Sequence, residues 1–101
     1  KTMENNFFHY SFEPSSETVN EMIQSIKSIF ENLNIEVVEI INEFYEDEGE
    51  LHNITFITES KKYRFTYDDD GEPCVDICDK EGEIMITIRP KDYDELKNSI
   101  T

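Results

Sequence analysis

The sequence predicts a single α+β domain in which an amphipathic helix packs on a five-stranded antiparallel sheet. Two observations lead to this fold class. Apolar residues recur with a helical period over residues 18–33, and from residue 35 onward they alternate with a period of two in segments separated by turn residues. A length of 101 residues suits one domain, residues 1–101, and is too short for two independent cores.

The helical segment presents one continuous apolar stripe. Its members are Val19, Met22, Ile23, Ile26, Phe30 and Leu33. Thr18, followed three residues later by Glu21, predicts a capping box at the start of the helix. Upstream, residues 7–12 alternate aromatic and polar side chains, which predicts a short N-terminal strand.

Five further strands are predicted in a meander, and they cover residues 35–45, 51–58, 62–68, 73–78 and 83–89. The predicted loops are three-residue turns at 47–49 and 69–71, a two-residue turn at 60–61 and a four-residue turn at 79–82. In the register that these loops set, every cross-strand pair on one face is apolar. The pairs are Ile40 with Phe56, Phe56 with Phe65, Phe65 with Val75, and Ile77 with Ile84. This face is therefore expected to receive the helix stripe.

Two further segments complete the predicted fold. Residues 33–46 also fit a helix by the spacing of their apolar residues, but the β-branched residues between 35 and 41 favour a strand. Pro90, followed by Tyr93, Leu96 and Ile100 at helical spacing, predicts a short C-terminal helix.

Acidic residues dominate the composition. Asp and Glu number 24 against 9 Lys and Arg, for a formal net charge of −15. Direct binding to nucleic acid or to an anionic membrane requires clustered bases, so neither is expected. No apolar run reaches the ~18 residues of a membrane helix, and no basic segment followed by an apolar one indicates export. A cytoplasmic location is therefore expected.

The acids concentrate between residues 36 and 50, where seven carboxylates occur without a base. They are Glu36, Glu39, Glu43, Glu46, Asp47, Glu48 and Glu50. On a strand, acids two residues apart would lie ~6.7 Å apart on one face, a spacing comparable to that of successive phosphates. The segment is thus a candidate surface for a basic protein partner. The alternative interpretation is a solvated strand whose charges discourage edge-to-edge aggregation.

The chain offers little material for catalysis or metal binding. Cys74 and Cys78 fall on one strand about 13 Å apart, too far to pair with each other, and they lack the CxxC spacing of zinc sites. The acids at 68–70 before Gly71 fit a hairpin turn rather than an EF-hand loop. On the predicted registers His52 lies on the face away from both thiols. We therefore expect no enzyme, no cofactor and no metal.

The second sheet face mixes polar and apolar side chains, which makes it an alternative interface for a homodimer or another partner. Its candidate members are Arg64, Asp76, Met85, Thr87 and Arg89. Arg64 is predicted to lie opposite Asp76 as a cross-strand ion pair. An ordinary solvent-facing sheet surface explains the same composition.

These features favour a non-enzymatic binding protein. Small acidic α+β domains occur among toxin immunity proteins, phage inhibitors of host nucleases and chaperones for secreted proteins, an analogy of size and charge alone. The leading hypothesis is an inhibitor or immunity-type protein that engages a basic, nucleic-acid-binding site on a partner protein. The alternative, from another class, is a structural or chaperone-like assembly protein that uses the mixed sheet face.

Overall fold

The computed structural model describes residues 16–45, 51–67 and 73–100. Helix α1 (Ser16–Asn32) precedes five strands and a short closing helix. The strands are β1 (Val37–Tyr45), β2 (Leu51–Thr58), β3 (Lys62–Tyr67), β4 (Pro73–Cys78) and β5 (Ile84–Ile88), and the closing helix is α2 (Tyr93–Ile100). The predicted α+β class is confirmed. The predicted strand at 7–12 and the turns at 47–49 and 69–71 lie outside the described residues.

The five strands form one antiparallel sheet in the order β1-β2-β3-β4-β5, the predicted meander. Residues 37–45 are a strand, so the helical alternative for this segment is wrong. The β-branched residues of β1 explain the outcome, because their side chains fit a pleated surface better than a helix. Two predicted strands are longer than the observed ones: β1 begins at 37, and β5 covers 84–88. The predicted end of β3 at residue 68 lies outside the described residues.

Helix α1 buries the predicted stripe against the sheet, with Met22, Ile26 and Phe30 almost fully inaccessible. It begins at Ser16, so Thr18 lies in its first turn and the predicted cap there is wrong. At the other end Asn34 adopts a left-handed φ of 59°. The Ile35 N–H then donates to the Phe30 carbonyl at 2.9 Å, in a Schellman arrangement that turns the chain toward β1.

Side chains of two acids cap the start of α2. The Asp92 carboxylate accepts the Glu95 N–H at 3.0 Å. The Glu95 carboxylate reaches back toward the Lys91 N–H at 3.4 Å. This cap orients α2 so that Leu96 and Ile100 are buried in the same core as the α1 stripe.

Aromatic rings occupy the centre of the core. Phe30 of α1 stacks on Phe56 of β2 with ring centroids 5.4 Å apart. It also meets Tyr63 of β3 edge-on at 5.0 Å. Phe56 and Phe65 form a third, edge-to-face pair at 5.4 Å. These ring contacts fix α1 over the middle of one sheet face. The helix therefore does not cover the opposite face.

The register between β2 and β3 differs from the prediction by two residues. Phe56 pairs with Tyr63 instead of Phe65, and Phe65 pairs with Ile54. Because side chains alternate with a period of two, this displacement leaves every residue on its predicted face. The two phenylalanine rings still touch as diagonal neighbours. The predicted pairs Ile40–Phe56 and Phe65–Val75 are confirmed.

The turn between these strands explains the displacement. The Thr58 N–H donates to the Lys61 carbonyl at 2.9 Å, so Glu59 and Ser60 form the two-residue loop. The prediction of residues 60–61 was therefore one position late. The Thr58 hydroxyl oxygen accepts the Lys61 N–H at 3.2 Å and closes the turn from the side.

The register between β4 and β5 also differs from the prediction. Ile77 pairs with Ile86, not with Ile84, and Ile84 pairs with Cys78. Met85 is the extra residue between these two pairs, and it forms a β-bulge. The bulge interrupts the alternation that the predicted register assumed.

The loop before β5 has three residues, Lys80–Gly82, rather than the predicted four. The Asp79 N–H donates to the Glu83 carbonyl at 2.9 Å and closes the loop. The Asp79 carboxylate accepts the N–H groups of Glu81 and Glu83 at 3.0 and 2.9 Å. Gly82 has a φ of 91°, the left-handed conformation that ends this class of hairpin loop. The side chain of Asp79 thus organises the turn.

Candidate functional site

The second sheet face is crossed by one row of residues that includes a member of every strand. The row runs Ile41, Thr55, Arg64, Asp76 and Thr87 from β1 to β5. The two charged residues of this row lie on β3 and β4, and Thr87 of β5 adds a hydroxyl group beside them. The predicted placement of Arg64 opposite Asp76 is confirmed.

Asp76 is the centre of a hydrogen-bonded group within this row. Arg64 Nη2 lies 2.7 Å from Asp76 Oδ2, and Arg64 Nε donates to the same oxygen at 3.2 Å. The Thr87 hydroxyl donates to Asp76 Oδ1 at 2.7 Å. The hydrogen bond to Asp76 raises the pKa of Arg64, although burial opposes that shift. Both oxygens of the Asp76 carboxylate therefore accept hydrogen bonds from side chains of the neighbouring strands.

The thiols flank this group along β4. Cys74 and Cys78 are both buried and neither is in a disulfide, so the prediction that they do not pair with each other is confirmed. Burial raises the pKa of the Cys78 thiol, and the Arg64 cation lowers it to a smaller extent. Such a thiol is a poor nucleophile at neutral pH. Over the described ranges, no three His, Cys, Asp or Glu side chains are grouped to hold a metal ion.

The predicted acidic surface begins at β1. Glu36 and Glu39 are exposed and Glu43 is half-buried, while Glu46, Asp47, Glu48 and Glu50 lie outside the described residues. Glu39 pairs with Ile57 and Glu43 with Asn53. No Lys or Arg occurs anywhere in β1 or β2. Strands β1 and β2 thus contribute acids but no Lys or Arg, whereas β3 contributes Lys62 and Arg64.

Both outer strands have a bulge at an exposed apolar residue. Val38 is the extra residue of β1 and Met85 that of β5, and each is 61% exposed. A bulged residue has no direct partner on the neighbouring strand, and the strand bends at that position. Met85, which was predicted to share an interface with Arg64, Asp76 and Thr87, has no paired residue on β4 in this register. Arg89 is exposed just beyond the end of β5.

Sequence reasoning missed the apolar character of the β5 edge. Ile84 and Ile86, beside Met85, are 54% and 53% exposed. Ile84 was predicted to lie opposite Ile77 on the face that receives the helix, but it pairs with Cys78, and Ile86 takes the place opposite Ile77. The available signal was the unbroken run Ile84–Ile86, which does not alternate as a half-buried strand should.

Three comparisons with known proteins were made for the whole chain. No family model matches it, and no curated protein or solved structure is significantly similar to it. In the part of the chain that the structure describes, no helix is long and apolar enough to cross a membrane.

Proposed function

We propose that this chain is a non-enzymatic, protein-binding protein that engages a basic site on a partner protein, in the manner of an inhibitor or immunity protein. The observation on which this rests is the separation of charge across the sheet. The β1 end presents exposed Glu36 and Glu39 with no Lys or Arg in β1 or β2. A surface of one sign attracts and orients a partner of the other sign.

The geometry of β1 defines what such a partner would present. Glu39, Ile41 and Glu43 alternate along one face, paired with Ile57, Thr55 and Asn53 of β2. Two carboxylates four residues apart on a strand are separated by about 13 Å, close to the distance between every second phosphate of a nucleic acid strand. Ile41 between them is half-buried and offers a small apolar contact. A partner with two guanidinium or ammonium groups around an apolar side chain would fit this arrangement.

This interpretation also explains why the acids favour a protein partner over free ions. The described acids follow one strand in a line and do not converge on a point, so they suit an extended row of cations better than a single metal ion. Arginine provides the best match, because its planar fork can bind each carboxylate with two hydrogen bonds.

The test uses a ten-residue arginine peptide as the probe. A variant with Glu39→Gln and Glu43→Gln removes two charges from β1, and the matched control with Glu31→Gln and Glu81→Gln removes two exposed charges elsewhere. At about 0.05 M salt we expect the β1 variant to bind the peptide about tenfold more weakly, equal to about 1.4 kcal/mol, and the control to change much less. The two variants should converge with the original protein near 0.5 M salt.

Nuclear magnetic resonance of the peptide complex locates the contact. Shifts confined to amides of β1 and β2 support the proposal. Equal losses of affinity in both variants, or shifts spread evenly over the protein, would show a general effect of net charge and overturn it.

A further inference from the structure

We propose that β5 pairs edge to edge with β5 of a second copy of this chain, antiparallel about Ile86, so that two five-stranded sheets become one. This inference concerns the edge opposite to the acidic surface and does not depend on the proposed function. It rests on three features of β5: its position, its composition and the charges at its two ends.

The position of β5 leaves one side of the strand without a neighbour among the described strands. In the order β1-β2-β3-β4-β5, β4 occupies its other side. An edge strand presents a row of backbone N–H and C=O groups to whatever approaches it. Three successive large apolar side chains, Ile84, Met85 and Ile86, are more than half exposed at this edge. An exposed cluster of this kind marks an interaction surface.

The two edges of the sheet differ in how they are protected. Natural sheets prevent edge pairing with charged side chains, and β1 has Glu39 and Glu43 along its length. The sequence of β5, Ile84–Ile88, contains no charged residue. Both edge strands have one bulge, at Val38 and at Met85, so the charged side chains are what distinguishes the two edges. Pairing is thus opposed at one edge and allowed at the other.

The charges that flank β5 identify a second copy as the occupant. Glu83 precedes the strand and Arg89 follows it. In an antiparallel pair about Ile86, Glu83 of each copy lies opposite Arg89 of the other, so two acid–base pairs close the two ends of the interface. A parallel pair would bring like charges together. An antiparallel twofold contact of this kind uses the same patch on both copies and therefore closes as a dimer.

Repulsion between two copies is weak at this end of the molecule. Each chain has a net charge of −15, which opposes any self-association at low salt. Residues 79–92, which surround β5, include four acids and three bases and are nearly neutral. Added salt should therefore strengthen the dimer by screening the distant charges, in contrast to its effect on a complex with a basic partner.

Sedimentation equilibrium over a range of protein concentrations tests the inference. We expect a monomer–dimer equilibrium whose dissociation constant falls at least several-fold between about 0.05 and 0.5 M salt. Ile86→Lys places two ammonium groups at the twofold axis and should raise the dissociation constant more than about tenfold. Val38→Lys is the matched control: it adds the same charge at the bulge of β1, the other edge strand, and should leave the dissociation constant unchanged.

A charge exchange provides an independent test that does not alter the apolar edge. Glu83→Arg should weaken the dimer, and the double variant Glu83→Arg with Arg89→Glu should restore it. A chain that stays monomeric up to about millimolar concentration at both salt levels would overturn the inference. The inference would also be overturned by a dimer that dissociates in the Val38→Lys variant but persists in the Ile86→Lys variant. Binding of the arginine peptide should be unchanged in Ile86→Lys, which separates failure here from failure of the proposed function.

Discussion

Arg64 and Thr87 lie on strands that are separated by β4, yet they bind the two oxygens of one carboxylate, that of Asp76. Arg64 contacts Oδ2 at 2.7 Å and Thr87 contacts Oδ1 at 2.7 Å. Asp76 is 9% exposed, so most of its interaction with water has been exchanged for these bonds. The group therefore ties three strands together on the face away from the helices.

The first prediction concerns the coupling between Arg64 and Asp76. Asp76→Ala should lower the free energy of unfolding by about 1–2 kcal/mol, because it leaves Arg64 and Thr87 without their acceptor. This loss of stability is smaller than that expected for a fully buried ion pair, because the Arg64 side chain is 39% exposed and water screens its charge. A double-mutant cycle with Arg64→Met, measured by urea unfolding, should give a coupling energy near 1 kcal/mol. Strictly additive effects would mean that the pair does not contribute to stability.

The second prediction tests which side chains of β3 lie in the core and which lie on the opposite face. Phe65 is 1% exposed and packs edge-to-face on Phe56, so Phe65→Ala should cost roughly 3–5 kcal/mol. Thr66, the next residue, is half-exposed on the other face, and Thr66→Ala should cost less than about 1 kcal/mol. Equal changes in urea midpoint for the two variants would contradict the observed facing.

The third prediction concerns stability at alkaline pH. Burial raises the pKa of the Tyr63 phenol above its ordinary value of 10.0 and that of the Cys78 thiol above 9.0. The folded chain then holds these protons more tightly than the unfolded chain, so their stabilising effect is present below the ordinary values. It is lost as the pH rises through the raised ones. The melting temperature should fall as the pH rises above 9.0.

Two variants show which of the two groups causes the loss of stability at alkaline pH. Cys78→Ala should reduce the slope that begins near 9.0, and Tyr63→Phe should reduce the slope that begins near 10.0, since phenylalanine keeps the ring beside Phe30. An alkaline melting profile that is identical in both variants and in the original chain would show that neither group titrates late in the folded state.

The fourth prediction concerns the turn before β5. Gly82 has a φ of 91°, and a methyl group added there would meet no atom within 4 Å. Gly82→Ala should therefore cost about 1 kcal/mol through backbone strain alone. Asn tolerates the left-handed region better, so Gly82→Asn should cost less. Thermal unfolding of the two variants checks the order, and a reversed order would mean that the turn rearranges.

The sheet face on which a side chain lies could be predicted from the sequence much better than its partner on the neighbouring strand. Facing depends on whether a residue number is odd or even within a strand, so the apolar residues of β2 and β3 were placed correctly even though Phe56 was paired with Phe65 instead of Tyr63. A two-residue shift preserves every apolar contact row and so leaves no trace in the pattern. The local hydrogen bonds of the Thr58 side chain decided between the two registers.

The candidate surfaces were predictable to different degrees. The ion pair of Arg64 and Asp76 followed from a register that the sequence had right, and it was found. The bulge at Met85 could not be predicted, because the alternation of β5 alone does not encode it. The exposed edge of β5 was missed although the unbroken apolar run Ile84–Ile86 indicated it.

The two helices are narrower than the sheet beneath them, and this mismatch has a consequence for motion. A helix is ~10 Å wide and strands are ~4.8 Å apart, so each helix covers about two strands of a sheet ~19 Å across. Among the side chains that the structure describes, the fully buried sheet residues of the core accordingly belong to β2, β3 or β4, while β1 and β5 contribute partly buried residues such as Ile40 and Ile88. Backbone amides should therefore exchange with solvent slowest in β3 and progressively faster toward both margins. The sheet would open from its sides inward, and the strand on which a second copy would dock is also among the first to loosen.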